Sequence, residues 1–363
     1  MKAAVLKNFG SRLALEDIAE PALGTGEIIV DVAASRVLPY SNEVFSGERQ
    51  YLLDLPVVPG PGAVGRVHAA GPDATHLKPG DWVYCDPTVR SRDNVLAPDI
   101  TLQGLSARGE GGMKLQKYFR DGAWAERMRV PTENALGIGP IEPSEAASWC
   151  AMGTCLVPFG GWVAAGLRPG ESALVSGATG NFGSAAVAVA LAMGASWIVA
   201  PGRNEAVLEH LARRFGNRVF PVKLTGNESD DRQRMMAAAP GPIDCVMDIM
   251  PPQVATTTVR AALMTVRQNG RVVLMGGVGM LGGAGLDLPY PWIMRNCITI
   301  HGVWMYPREA IPRMIALVRS GLLDLGQFRV TEFPLAGANE AVAHAAANGG
   351  PFKMTVLSPG LRA

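Results

Sequence analysis

The stretch ESALVSGATGNFGSAAVAVALAMGASWIVAPGRN, residues 171–204, decides the fold. Ala173-Leu174-Val175 is a short apolar run, the pattern of a strand buried on both faces. Gly177, Gly180 and Gly183 follow at once. Ala185 to Met193 is then a small, apolar, helix-forming run that stops at Gly194. A second apolar run, Trp197 to Ala200, closes a βαβ unit of about 30 residues.

The glycines carry the chemistry. Gly180 lacks a Cβ, so the backbone can turn sharply and a pyrophosphate can come close, while Gly183 lets the helix pack on the strand. The N–H groups at the helix start, with the helix dipole, favour negative charge. In the G-x-G-x-x-G register the first position is Ala178, so the match runs Ala178, Thr179, Gly180, Asn181, Phe182, Gly183. Its place between a strand and a helix makes it a dinucleotide loop rather than a chance glycine-rich turn.

Outside this unit, composition sets limits. The chain has 363 residues, 48% hydrophobic, with a formal net charge of +1. That is enough chain for two domains with their own cores, and nothing in it suggests disorder or a nucleic-acid footprint. No run approaches the 18 unbroken apolar residues of a membrane span. Met1-Lys2-Ala3-Ala4-Val5 leads directly into a strand pattern, so a secretory leader is not expected. The five cysteines (Cys85, Cys150, Cys155, Cys245, Cys297) are scattered and odd in number, which points to reduced thiols and a cytoplasmic location.

The loop Gly177-Ala178-Thr179-Gly180 also occurs in atypical short-chain dehydrogenases, but there it opens the chain and a Tyr-x-x-x-Lys pair does the acid chemistry. None of the six tyrosines here has a lysine four residues on. The whole chain better resembles the medium-chain dehydrogenase/reductase superfamily, in its zinc-free, quinone-oxidoreductase-like branch. The matching motifs are Val57 to Val67, Leu77-Lys78-Pro79-Gly80-Asp81-Trp82-Val83, Gly122-Ala123-Trp124-Ala125-Glu126 and the closing Lys353-Met354-Thr355-Val356. The resemblance implies an α/β fold: a GroES-like, β-rich catalytic domain (1–148 and 308–363) and a Rossmann cofactor domain with a doubly wound parallel sheet (149–307).

In zinc-bearing members a Cys ligand and a His-Glu pair stand where this chain has Leu38, Pro61 and Gly62, and the third ligand falls near Cys150 or Ala151. One thiol cannot hold a zinc that takes four ligands, so no metal is expected. The structural zinc lobe is missing as well, since only Cys85 lies in that region. In its place 86–122 reads as a long polar loop with Arg90, Arg92, Arg108, Lys114, Lys117 and Arg120, either a steering surface for an acidic substrate or a solvated loop with balancing acids. Tyr40, with Ser41 beside it, stands at the proton-relay position. These two are the candidate catalytic residues, Tyr40 as a hydrogen-bond and proton donor or as a wall of the pocket.

Cofactor contacts follow from the loop and the resemblance. Pro143 to Ala147 opens a helix, with Ser144 as its expected N-cap. Cys155 falls where most relatives place a Thr near the nicotinamide. NAD-binding folds carry an acid at the end of the second strand; here that position is Gly202, followed by Arg203 and Asn204. A missing acid and a present base favour the 2′-phosphate of NADP(H). Gly276, Gly277 and Val278 follow a later strand, and Ile298 to Trp304 is the last strand of the cofactor domain, which brings Val303 and Trp304 toward the nicotinamide and pairs across a dimer interface in relatives. Lys353 completes the candidate cofactor residues. The expected activity is NADPH-dependent hydride transfer to a quinone or an α,β-unsaturated carbonyl by a homodimer acting on a small molecule, with no membrane or nucleic-acid partner. A zinc-free carbonyl reductase or alcohol dehydrogenase, or an NADPH-binding protein without turnover, are the alternatives.

Overall fold

The computed structural model describes residues 1–361. Its contacts divide the chain into two units: Met1–Gly153 with Leu325–Gly349 and the stretch from Lys353, and Thr154–Asp324 with Gly350–Phe352. The expected boundaries were 148/149 and 307/308. The helix Ala310–Arg319 lies in the second unit, with Arg313 over the Phe159 ring, 5.5 Å from its centroid.

The first unit opens with an antiparallel pair, β1 (Lys2–Val5) and β2 (Ala14–Asp17). Its main strand is β3 (Glu27–Val37), whose run Ile28-Ile29-Val30 is buried and followed by small residues. The helix α1 (Ser41–Phe45) comes directly after. The strands β4 (Ala63–Ala70) and β5 (Trp82–Cys85) extend the sheet on one side of β3.

The 86–122 segment is not the structureless loop its composition suggests. It contains a three-stranded antiparallel sheet, β6 (Thr88–Arg90), β7 (Ile100–Leu102) and β8 (Ser106–Ala107), and then α2 (Gly109–Gln116). Strands of two or three residues are too short to display alternation. Acids balance several of its bases: Arg90 faces Asp86 at 3.9 Å, Arg92 meets Glu133 at 3.0 Å, and Arg120 meets Asp121 at 3.3 Å. Two more strands, β9 (Arg127–Pro131) and β10 (Ala135–Gly137), pair with β3 and β5, and the short helix α3 (Ala146–Trp149) follows. Ser144 does not cap it: Ser144 lies inside a 3-10 turn over Pro143–Glu145 that precedes the helix, the N-cap of that turn is Glu142, and the Glu142 N–H donates to Glu145 Oε2 at 2.7 Å.

The helix α4 (Met152–Ala164) carries the chain into the second unit. There β11 (Ala173–Ser176), α5 (Asn181–Ala192), β12 (Ile198–Gly202), α6 (Glu205–Phe215), β13 (Val219–Lys223), α7 (Glu228–Ala238), β14 (Ile243–Asp248), α8 (Thr256–Leu263), β15 (Val266–Leu274), α9 (Tyr290–Arg295), β16 (Thr299–Gly302) and α10 (Ala310–Arg319) follow in turn. The six strands are all parallel, in the order β13-β12-β11-β14-β15-β16. This is the Rossmann arrangement, with the reversal of strand order between β11 and β14. Leu174, Val199, Val246 and Val272 from its four central strands form one buried cluster.

The chain returns to the first unit with β17 (Arg329–Pro334), α11 (Ala338–Asn348) and β18 (Lys353–Ser358). β18 pairs antiparallel with the end of β3, with Arg36 opposite Val356. The sheet order becomes β10-β5-β4-β3-β18-β17, with β9 also on β3.

Candidate active site

In the second unit the candidate cofactor residues gather at one edge. Ala178–Gly183 follow β11, Gly202–Asn204 end or follow β12, Gly276–Val278 follow β15, and Val303-Trp304 follow β16. Because the strands are parallel, these are all carboxyl ends, where ligands bind in open α/β sheets.

The loop geometry shows why its glycines are needed. Gly177 has φ +101°, a conformation that side chains rarely adopt, and it lies against the Ile249 backbone. A Cβ on Gly183 would run into the Gly177 carbonyl oxygen, so only glycine lets α5 start this close to β11. Gly180 is the N-cap of α5, and no side chain caps that end. The helix begins at Asn181, four residues before the run that the sequence marks. The turn at Gly350–Phe352 docks on this helix start: Asn181 Nδ2 donates to the Gly350 carbonyl at 3.3 Å, and the Phe352 N–H donates to Ser184 Oγ at 3.2 Å.

Gly202 sits against the loop, and a Cβ there would strike the Thr179 side chain. A side chain at this position would therefore have to move that of Thr179. Arg203 is exposed beside it. Asn204 is the N-cap of α6, accepting from the Val207 N–H at 3.2 Å. Cys155 is fully buried in α4. The Val303 N–H donates to the Leu274 carbonyl at 3.0 Å, and Trp304 is 45% exposed. Lys353 is exposed at the start of β18 and belongs to the first unit.

Beneath this edge lies a group that sequence reading missed. Asp248 ends β14 directly opposite Ser176, the last residue of β11. It is 3% exposed, and burial pushes its carboxyl up to about 6 even though Ser176 Oγ and the Met250 backbone both favour its charge. Its Oδ2 fills the space that a Cβ on Gly276 would need. An acid closing the run Ile243-Asp244-Cys245-Val246-Met247 was the available signal.

In the first unit Tyr40 is the N-cap residue of α1, and Ser41 is buried as its first residue. The Arg49 guanidinium stacks 4.0 Å from the Tyr40 ring centroid and is held by Glu43 at 2.7 Å. Burial of the hydroxyl, with Tyr51 nearby, raises its pKa well above the ordinary phenol value, although Arg36 and Arg49 pull it down. Tyr40 therefore stays protonated at neutral pH and can donate a hydrogen bond. Ser35 Oγ donates to the Gly62 carbonyl at 2.8 Å, tying the end of β3 to the Pro61-Gly62 turn.

The metal positions hold the wrong chemistry for zinc. Leu38 is buried, Pro61 and Gly62 have no donor side chain, and burial pushes the Cys150 thiol up to about 12, with Arg36 the largest opposing influence. Among the described residues no group of three His, Cys, Asp or Glu could hold a metal ion. This set does not fit a four-coordinate zinc. Among the same residues no helix is long and apolar enough to cross a membrane.

Comparison with known proteins agrees with both units. Residues 24–140 match the alcohol dehydrogenase GroES-like domain, and residues 182–320 match the zinc-binding dehydrogenase family. The chain is 28% identical to an L-threonine 3-dehydrogenase of Streptomyces coelicolor over 94% of its own length and 96% of that protein. It is 26% identical to an acryloyl-coenzyme A reductase of Metallosphaera sedula, over 83% of this chain and 84% of the other. Among solved structures, an alcohol dehydrogenase from Thermus sp. ATN1 superposes with TM-score 0.82 over 99% of both chains at 24% identity.

Proposed function

The chain belongs to the medium-chain dehydrogenase/reductase superfamily of nicotinamide-dependent oxidoreductases, and from that premise we propose a zinc-independent, NADPH-dependent reductase of quinones or α,β-unsaturated carbonyls. The observation that carries this reading is the pairing of an intact dinucleotide loop with metal positions occupied by Leu38, Pro61 and Gly62. A simple alcohol or ketone substrate normally relies on a metal as Lewis acid. A quinone or a conjugated C=C needs a placed hydride, a hydrogen bond to the developing enolate and a proton.

NADPH, when bound, supplies the hydride. The first turn of α5 and the Gly177–Gly183 backbone would hold its pyrophosphate, and Arg203 would pair with the 2′-phosphate, where Gly202 offers no competing carboxylate. Tyr40 would donate its hydroxyl to the substrate oxygen or pass on a proton. Its raised pKa makes it the stronger candidate for the hydrogen bond. The half-exposed edge strand β16 would join two copies of the chain.

The names of the relatives favour a second reading. Several are alcohol or threonine dehydrogenases, so oxidation or reduction at a carbonyl without zinc stands beside the enone reading. A screen of NADPH oxidation across quinones, enones, aldehydes and ketones separates them. Turnover confined to quinones and enones supports the first reading, and turnover confined to aldehydes and ketones supports the second. Binding of NADPH with no turnover on any acceptor would overturn both.

A further inference from the structure

We propose that the first unit carries a second small-molecule site, a cavity that binds a free aromatic α-amino acid as its zwitterion, with the carboxylate on Arg120, the ammonium on Asp121 and the Gln103 side-chain oxygen, and the ring on the apolar wall. The site stands independently of the reaction assigned above.

The cavity has a volume of about 210 Å³ and lies wholly within the first unit. It forms where residues 118–122 and strand β9 meet the segment that follows β2. None of Leu38, Tyr40, Ser41, Pro61 or Gly62 belongs to its wall. An apolar cavity of about 150 Å³ holds one benzene ring, so this one has room for a ring and a short polar head. Ile18, Val58, Phe119 and Met128 provide an apolar face. The Phe119 ring stands edge-on to Tyr118, with 4.8 Å between centroids, and an aromatic ligand adds a third ring to that pair.

One residue of the wall has an unmet demand. Gln103 is 2% exposed. Its Nε2 donates to the Asp121 carbonyl at 2.8 Å and to the Arg129 carbonyl at 2.7 Å, which fixes the orientation of the amide. The remaining Oε1 is buried and accepts from no donor among the described residues. A buried acceptor left unpaired is costly, and a ligand N–H relieves that cost.

Charge selects the ligand. Three arginines and one acid line the cavity. Arg127 is neutralised by Asp31 at 2.8 Å and Glu20 at 2.6 Å. Arg129 donates to the Tyr118 carbonyl at 2.9 Å and has Glu27 at 3.6 Å. Arg120 and Asp121 are left as one opposite pair. Their mutual contacts are long, 3.3 and 3.4 Å, and both side chains are partly exposed, so the pair itself gains little. Both contacts use Nε and Nη2 of Arg120, and Nη1 has no partner among the described residues. The guanidinium thus keeps an end for a carboxylate. A simple anion would face the like charge of Asp121, and a simple cation that of Arg120. A zwitterion brings the opposite charge to each, and the Gln103 oxygen gives its ammonium a second acceptor.

Isothermal titration of the full chain with L-phenylalanine tests this. Binding at one site per chain is expected with a Kd below about 1 mM, unchanged within about threefold by saturating NADP⁺. 3-Phenylpropionate lacks the ammonium and L-phenylalanine amide lacks the carboxylate; each should bind at least about tenfold more weakly. Arg120→Ala and Asp121→Asn should each weaken L-phenylalanine at least about tenfold with Tm unchanged. Asn keeps an oxygen for the Val58 N–H, which Asp121 Oδ1 accepts at 2.9 Å, so that variant reads the charge rather than the fold. No heat with L-phenylalanine at about 10 mM, equal binding of 3-phenylpropionate, or an affinity within about threefold of wild type in either folded variant would overturn the proposal. Competition by NADP⁺ would overturn it as well, because it would put the amino acid at the cofactor edge.

Discussion

Replacing Asp248 with Asn should stabilise the protein at neutral pH and flatten its pH dependence. Asp248 is 3% exposed, and its pKa is pushed from 3.8 to about 6, first by burial, while Ser176 Oγ donates to it at 3.1 Å. The folded state thus holds this proton more tightly than the unfolded chain does. The contribution is complete below the unfolded pKa, is lost as pH rises from about 4 to about 6, and is flat above that. The difference of roughly two pK units corresponds to about 3 kcal/mol at 1.36 kcal/mol per unit. Asn keeps an acceptor for Ser176 and carries no charge, so the desolvation cost disappears while some charge-assisted hydrogen bonding is lost. The net gain at pH 8 should be about 1–3 kcal/mol, with the two proteins within about 0.5 kcal/mol of each other at pH 4. Urea unfolding at four or five pH values measures it. A variant less stable than wild type at pH 8, or one that retains the wild-type slope between pH 4 and 6, would refute the assignment of that slope to Asp248.

Two further outcomes are expected. NADPH should bind at least about tenfold tighter than NADH, a margin of roughly 1.4 kcal/mol, and Arg203→Ala should remove most of it; equal affinities in the unmutated protein would contradict the role given to Gly202 and Arg203. Tyr40→Phe should lower turnover by about 10²-fold on an enone with NADPH affinity unchanged, and the wild-type rate should show no limb from Tyr40 below about pH 10, because its pKa is raised. Unchanged turnover would leave Tyr40 as a wall of the pocket.

The second unit was the more legible in the sequence because its signals are local. The apolar run Ala173 to Val175, the glycines after it and the run Ile243 to Asp248 each mark a strand or turn by themselves. What stayed hidden depends on contacts between distant residues. That Thr179 closes the space at Gly202 is visible only once β12 lies beside β11. The burial of Arg36 is hidden in the same way, since β18 beside it and the close approach of Gly153 come from distant parts of the chain. The strands of the 86–122 segment escaped for a different reason, being too short to show a period. Ser144 suits a cap by residue type, but Glu142 and Glu145 form the reciprocal pair at the 3-10 turn that contains it.

Hydride transfer from NADPH without zinc is the property on which the proposed function stands. It is tested most directly by elemental analysis of the purified protein together with its NADPH-oxidation rate on an enone or quinone, before and after dialysis against a chelator. Well under one zinc per chain, a rate that dialysis leaves unchanged, and a lower rate with NADH are expected. One tightly bound zinc per chain, with activity lost on its removal and regained on its return, would contradict it.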